Sequence, residues 1–276
     1  MNAIKTLHRR IRRKLLTIKD VLARRMRPRN REARFSDLFH AYKPSLVFIE
    51  IELPSGDVSG ATSFHIGRGY LVTARHVVDG NKIRRLVSHH YTGPADIKVG
   101  RIYLPADPRI DLAILETNFS LTHYMTKTTI VGREHLKTDH IPLGGHLDDW
   151  LGDEFTLSKA LLMGYPPVPR SKDLVLVAIA AEVNAVVDKY DGPHPHFIIS
   201  AIPRGGFSGA PVISEYGFLL GVMTESLVKE GRAEEVGFAA VVSIQPLLDL
   251  VDDAGIDTGK NTEFMKRLFS GDWNDV

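Results

Sequence analysis

The 276-residue sequence has no cysteine, so neither a disulfide nor a thiolate metal site contributes to its fold. That absence fits a reducing compartment or a bacterial cell better than an animal secreted protein of similar size. No apolar run approaches the ~18 residues of a membrane-spanning helix. Nor is there an unbroken apolar stretch of roughly 7–15 residues such as a secretory leader needs. A Walker loop and a dinucleotide fingerprint are also missing, which argues against nucleotide-driven chemistry. The expectation is a cytoplasmic protein, peripheral at a membrane if its basic segment finds one. No cofactor and no metal are expected. His194 and His196 place two imidazoles on one strand face but lack an evident third ligand, and the adjacent His89 and His90 point apart.

What is there is a core-forming composition, 43% apolar, and a charge balance that hides an asymmetry. The formal net charge is +2, yet residues 1–35 hold 13 Lys+Arg against 2 Asp+Glu, which leaves the remainder net acidic. Ile4, Leu7, Ile11, Leu15, Ile18 and Leu22 recur at helical spacing, so residues 3–25 read as an amphipathic basic helix ended by Pro28. This N-terminal arm, residues 1–43, reads either as a solvated segment or as a contact for an anionic membrane, a nucleic acid or an acidic protein. An Arg-rich, acid-poor targeting segment is a further reading.

From residue 44 the texture changes to short β-like runs bounded by Gly and Pro. They lie at 45–53, 61–66, 70–73, 82–87, 97–104, 112–116, 160–164, 174–181, 183–187, 197–202, 210–213, 218–224 and 237–242. Many short strands with few helical patterns predict an all-β barrel or sandwich. A helix is expected at 244–251, and a second short one at 262–269. Residues 44–254 form the expected main domain and 255–276 a tail. The segment 119–158 has no readable pattern.

Three stretches carry chemistry. In Gly206-Phe207-Ser208-Gly209-Ala210-Pro211, the glycine two before the serine permits a tight turn that aims backbone N–H groups inward, as a nucleophilic serine requires. Its plain alternative is a Gly-rich hairpin with an ordinary serine. In Thr73-Ala74-Arg75-His76, a histidine follows an apolar strand, where a general base faces a cleft. In Ile110-Asp111-Leu112-Ala113, an acid stands at the mouth of an apolar strand, where burial demands a partner such as a histidine N–H. Asp107, in a Pro turn, is the competing acid.

In the order His, Asp, Ser, these motifs resemble the chymotrypsin-like (trypsin-like) serine proteases. The texture is similar to the bacterial, disulfide-free HtrA-type branch, over about residues 44–250. Asp107-Pro108, Leu151-Gly152-Asp153, Met163-Gly164-Tyr165-Pro166, Gly221-Val222-Met223-Thr224 and Val236-Gly237-Phe238-Ala239 add to the resemblance. It implies two six-stranded antiparallel β-barrels and a C-terminal helix. It further implies Ser208 as nucleophile, His76 as general base and acid, and Asp111 as the group orienting His76. The N–H groups of Gly206 and Ser208 would form the oxyanion hole, and Thr224 would support the aspartate. Ile202 at the pocket base, with Ser226 and Val236 as walls, implies a non-tryptic endopeptidase that prefers a small or medium apolar residue. Phe207 replaces the acid that secreted relatives pair with a freed N-terminus. No segment after the barrels matches the peptide-binding PDZ domain of that branch. The expected partner is a protein or peptide substrate. The competing expectation is an idle or partner-activated module that keeps the fold and uses the basic arm for contacts.

Overall fold

The computed structural model describes residues 35–88, 90, 96–121, 128–130, 133–135, 140–143, 155–188, 193–201, 205–228 and 235–259. The expected helices at 3–25 and 262–269 lie outside this set. So do Ile202, His89 and most of the segment 119–158, where two short strands, β7 (Thr128–Ile130) and β8 (Arg133–His135), pair with each other.

The protein is mostly β. The first half contributes β1 (Leu46–Glu52), β2 (Val58–Gly67), β3 (Tyr70–Thr73), β4 (Lys82–Val87), β5 (Val99–Tyr103) and β6 (Ala113–Thr117). The second contributes β9 (Lys159–Gly164), β10 (Val177–Asp188), β11 (Pro195–Ile199), β12 (Pro211–Ser214), β13 (Leu219–Val228) and β14 (Glu235–Ser243). Helices α1 (Phe35–Tyr42), α2 (Arg75–Val78) and α3 (Gln245–Asp253) complete it. The second set closes into a barrel in the order β10-β11-β14-β13-β12-β9. The first set is a six-stranded sheet in the order β4-β1-β2-β3-β6-β5 whose edge strands do not pair among the described residues, so it stands as a half-barrel. This is the chymotrypsin-like architecture, with its first barrel left open.

Strand periodicity explains the arrangement. Successive side chains in a strand point to opposite faces. In β1, Val47, Ile49 and Ile51 enter the first sheet's own core, while Leu46 enters a cluster on the other face. The same split recurs in β6, with Ala113 and Leu115 inward and Ile114 outward. In the closed barrel, Ala160 and Leu162 of β9 and Val212 of β12 face its interior, whereas Leu161, Met163 and Ile213 face out. The outward sets of the two halves meet in one shared cluster. Strands buried on both faces lose the apolar/polar alternation, which is why they read as continuous apolar runs.

Two elements depart from expectation. The runs at 174–181 and 183–187 are one strand, β10, which continues through a register shift between Val183 and Ala185. Glu182 interrupts the apolar run only because it faces solvent, and its N–H donates to Ser200 Oγ at 3.0 Å. Residues 35–42, read as part of the arm, form helix α1. Its Leu38, Ala41 and Tyr42, at spacings of three and four, join α3 residues Leu247 and Leu250 in the shared cluster.

The Tyr42 hydroxyl donates a 2.6 Å hydrogen bond to the carbonyl of Gly217, the buried residue of the turn between β12 and β13. Tyr42→Phe keeps the packing but strands that carbonyl. Urea unfolding is expected to show a loss of about 1–3 kcal/mol at unchanged m-value. Equal midpoints for the two proteins would mean that the bond contributes nothing.

Candidate active site

Short-range structure sets the histidine. Strand β3 ends at Thr73, Ala74 remains extended, and α2 then makes a single turn over Arg75–Val78. Asn81 Nδ2 donates to the carbonyls of His76 (2.9 Å) and Val77 (3.2 Å), and Arg75 Nε bonds Asp79 at 2.9 Å. Val77 and Val78 are buried, which leaves His76 facing out. The turn is therefore fixed from below by packing and from above by hydrogen bonds.

Asp111 grips this turn with both oxygens. Its Oδ1 accepts the His76 backbone N–H at 2.9 Å, and its Oδ2 lies 2.7 Å from His76 Nδ1. A carboxylate offers only acceptors, so Nδ1 carries the proton and Nε2 keeps its lone pair. Bonding to Asp111 raises the His76 pKa above its ordinary value. Partial desolvation opposes this, and the negative charges of Asp111 and then Glu225 add to the rise. Asp107, the competing acid, is engaged elsewhere: it accepts from Arg109 Nε at 3.0 Å and Nη2 at 2.6 Å. That pairing lowers its carboxyl to about 2.

The glycine-rich turn between β11 and β12 holds Ser208, which is half-buried. Gly206 (φ 101°) and Gly209 (φ 83°) both occupy the left-handed region. A methyl on Gly209 would overlap Thr73 Oγ1 and the Thr62 carbonyl and would come within 2.8 Å of Ala74 N. The serine turn thus rests on the residues that lead into His76. Its other side is tied to β13, where Gly209 N–H donates to the Met223 carbonyl at 2.8 Å and Met223 N–H to the Ala210 carbonyl at 2.9 Å. Among the described residues, the N–H groups of Gly206 and Ser208 donate to no protein acceptor. Phe207 is buried in the closed barrel's core.

The remaining expected residues are placed unevenly. Thr224 is buried on β13, but no hydrogen bond from its hydroxyl to Asp111 occurs among the described residues. Ser226 and Val236 belong to β13 and β14, and their side chains, like Ile202, fall outside the described set. Among the described residues no cluster of His, Asp and Glu is placed to hold a metal ion. Instead, His196 Nδ1 lies 3.0 Å from the His194 carbonyl. Sequence reading missed Glu225, an exposed acid whose charge reaches His76. The signal was its place between Thr224 and Ser226, both already singled out.

The sequence profile of the trypsin-like peptidase domain matches residues 61–222. The fold is similar to the active form of the Rv3671c protease from M. tuberculosis, at 20% identity and a TM-score of 0.55 over 82% of this chain and 87% of that one. It is also similar to the HtrA-type protease AlgW with a tripeptide, at 18% identity and a TM-score of 0.56 over 83% of this chain and 65% of that one. No curated protein matches the sequence.

The His76 environment has a direct readout. Its ring protons, followed by NMR, are expected to titrate above the ~6.5 of an unperturbed histidine. Asp111→Asn should bring the midpoint down, and Glu225→Gln should do so by a smaller amount. A midpoint indifferent to Asp111→Asn would contradict the pairing.

Proposed function

The chain belongs to the trypsin-like peptidase domain family, and on that footing we propose that it is a serine endopeptidase working through an acyl-enzyme. The observation that carries this reading is the 2.7 Å contact between His76 Nδ1 and Asp111, which leaves Nε2 to act as a base, while Gly209 of the serine turn packs against Thr73 and Ala74, just before His76. Ser208 Oγ attacks the scissile carbonyl carbon while Nε2 takes the hydroxyl proton. The N–H groups of Gly206 and Ser208 receive the oxyanion that forms. Collapse of this intermediate breaks the C–N bond, and the proton on Nε2 passes to the leaving amine. Water then repeats the sequence on the ester and frees Ser208. Asp111 stays ionised throughout and stabilises the imidazolium.

Peptides or unfolded segments of proteins are the substrate class. Ile202, six residues before Ser208 in the sequence, stands at the position that forms the pocket base in the resembling family, so the residue before the cleaved bond is apolar and of small or medium size. A carboxylate would be needed there to hold Arg or Lys.

A fluorophosphonate probe is expected to label the wild type and leave Ser208→Ala unlabelled. Peptide hydrolysis should fall at least ~10³-fold in Ser208→Ala and in His76→Ala. The acid limb of kcat/KM follows His76: below its pKa, Nε2 is protonated and the rate falls. Because that pKa is raised, the limb lies above pH ~6.5, and Glu225→Gln should move it to lower pH. Labelling that persists in Ser208→Ala would reject the assignment, as would faster cleavage after Arg or Lys for the proposed pocket.

A further inference from the structure

Thr62 has no place in the chemistry above, yet it is hydrogen-bonded to two residues that do, Gly206 and Ser208. It lies on β2 opposite the point where β3 runs out: Phe64 pairs with Val72, and Thr73 is the last residue of β3. Thr62 pairs with Phe48 of β1 on one side; on the other, past the end of β3, the serine turn of the other half takes up its backbone. The Thr62 N–H donates to the Ser208 carbonyl at 3.0 Å. Its hydroxyl donates to the Gly206 carbonyl at 2.6 Å and accepts the Tyr165 N–H at 2.9 Å. Its own carbonyl accepts the Thr73 hydroxyl at 2.8 Å. The side chain is fully buried.

We infer that Thr62 is a positioning residue for the Ser208 N–H, one of the two groups read above as the oxyanion site, because it holds the peptide planes on either side of the one that carries this N–H. The inference rests on that reading of Ser208. A planar trans peptide sends its C=O and N–H in opposite directions, and the described chain has no cis bond. Thr62 holds the carbonyls of Gly206 and Ser208, which fixes the 206–207 and 208–209 peptide planes. The plane between them is held by the Ala210 N–H, which donates to the Phe207 carbonyl at 2.9 Å. That bond turns the Ser208 N–H the opposite way, to a side where no acceptor meets it among the described residues. Three successive planes are therefore set, two of them by one residue of the other half of the molecule.

The role needs a hydroxyl, because a single atom must donate to Gly206 and accept from Tyr165. Valine matches the shape of threonine but removes the Thr62 hydroxyl that the buried Gly206 carbonyl and Tyr165 N–H are bonded to. Neighbouring residues are shaped around the contact. A methyl on Gly164 would come within 2.6 Å of the Phe207 ring and 2.9 Å of Thr62 Oγ1, so side chains larger than hydrogen are excluded where these groups converge.

The test compares wild type, Thr62→Val and Thr62→Ser on a peptide amide substrate, with folded fractions taken from circular dichroism. A peptide aldehyde, whose serine adduct carries the oxyanion, and a cleaved product peptide, which carries none, serve as inhibitors. Thr62→Val should lower kcat about 10–100-fold with KM within ~2-fold, below the loss from removing an oxyanion donor outright. Aldehyde affinity should fall by a similar factor while product affinity holds. Thr62→Ser, which keeps the hydroxyl, should recover kcat to within ~3-fold of wild type. The role is overturned if folded Thr62→Val matches wild type in kcat, if the loss lies in KM, or if Thr62→Ser is as impaired as Thr62→Val. A wild type without Ser208-dependent labelling overturns the protease reading together with this one; a labelled wild type beside an unimpaired Thr62→Val overturns this one alone.

Discussion

The seam between the two halves is the constraint on which the rest depends. His76 and Asp111 come from segments that join strands of the open sheet, and Ser208 comes from a turn of the closed barrel. Neither half alone assembles the candidate site. What holds the halves in register is the shared apolar cluster, to which β1, β2, β3 and β6 contribute from one side and β9, β12, β13 and β14 from the other. Such burial is strong but non-directional: it presses two surfaces together without choosing their exact offset. Direction is supplied at the seam by hydrogen bonds, of which those of Thr62 run to Gly206, Ser208 and Tyr165 at once.

That division of labour bears on what the sequence made legible. Strands such as 82–87 and 70–73 were readable because local composition and bounding turns determine them. His76 and Asp111 stood out because an acid and a base at strand ends are unusual residue types in costly places, and the structure joins their side chains. Three things were hidden. The continuity of β10 depends on a bulge that a solvent-facing Glu182 disguises as a break. The open edge of the first sheet is a matter of pairing between distant strands, which no local pattern encodes. Thr62 is an ordinary β-former in an ordinary strand, and its significance comes from a carbonyl 144 residues away.

The same logic separates charge from packing around the serine turn. On the histidine side, the interactions are polar and half-exposed: the His76–Asp111 pair and the nearby Glu225, all open to protons and salt. On the opposite side the turn is fastened by an aromatic ring, Phe207, among Ala160, Leu162, Val183 and Phe197. One face of the turn therefore responds to pH while the other does not titrate at all.

A ring sunk in a core is in place as soon as that core condenses. No later cut in the chain can grant this anchor, and none is required to complete it. The conformation of the turn is instead coupled thermodynamically to the closed barrel: whatever loosens the barrel loosens the turn, and a ligand that stabilises the turn stabilises the barrel by the same free energy. Because apolar burial weakens on cooling, this fastening is also the one expected to slacken first in the cold.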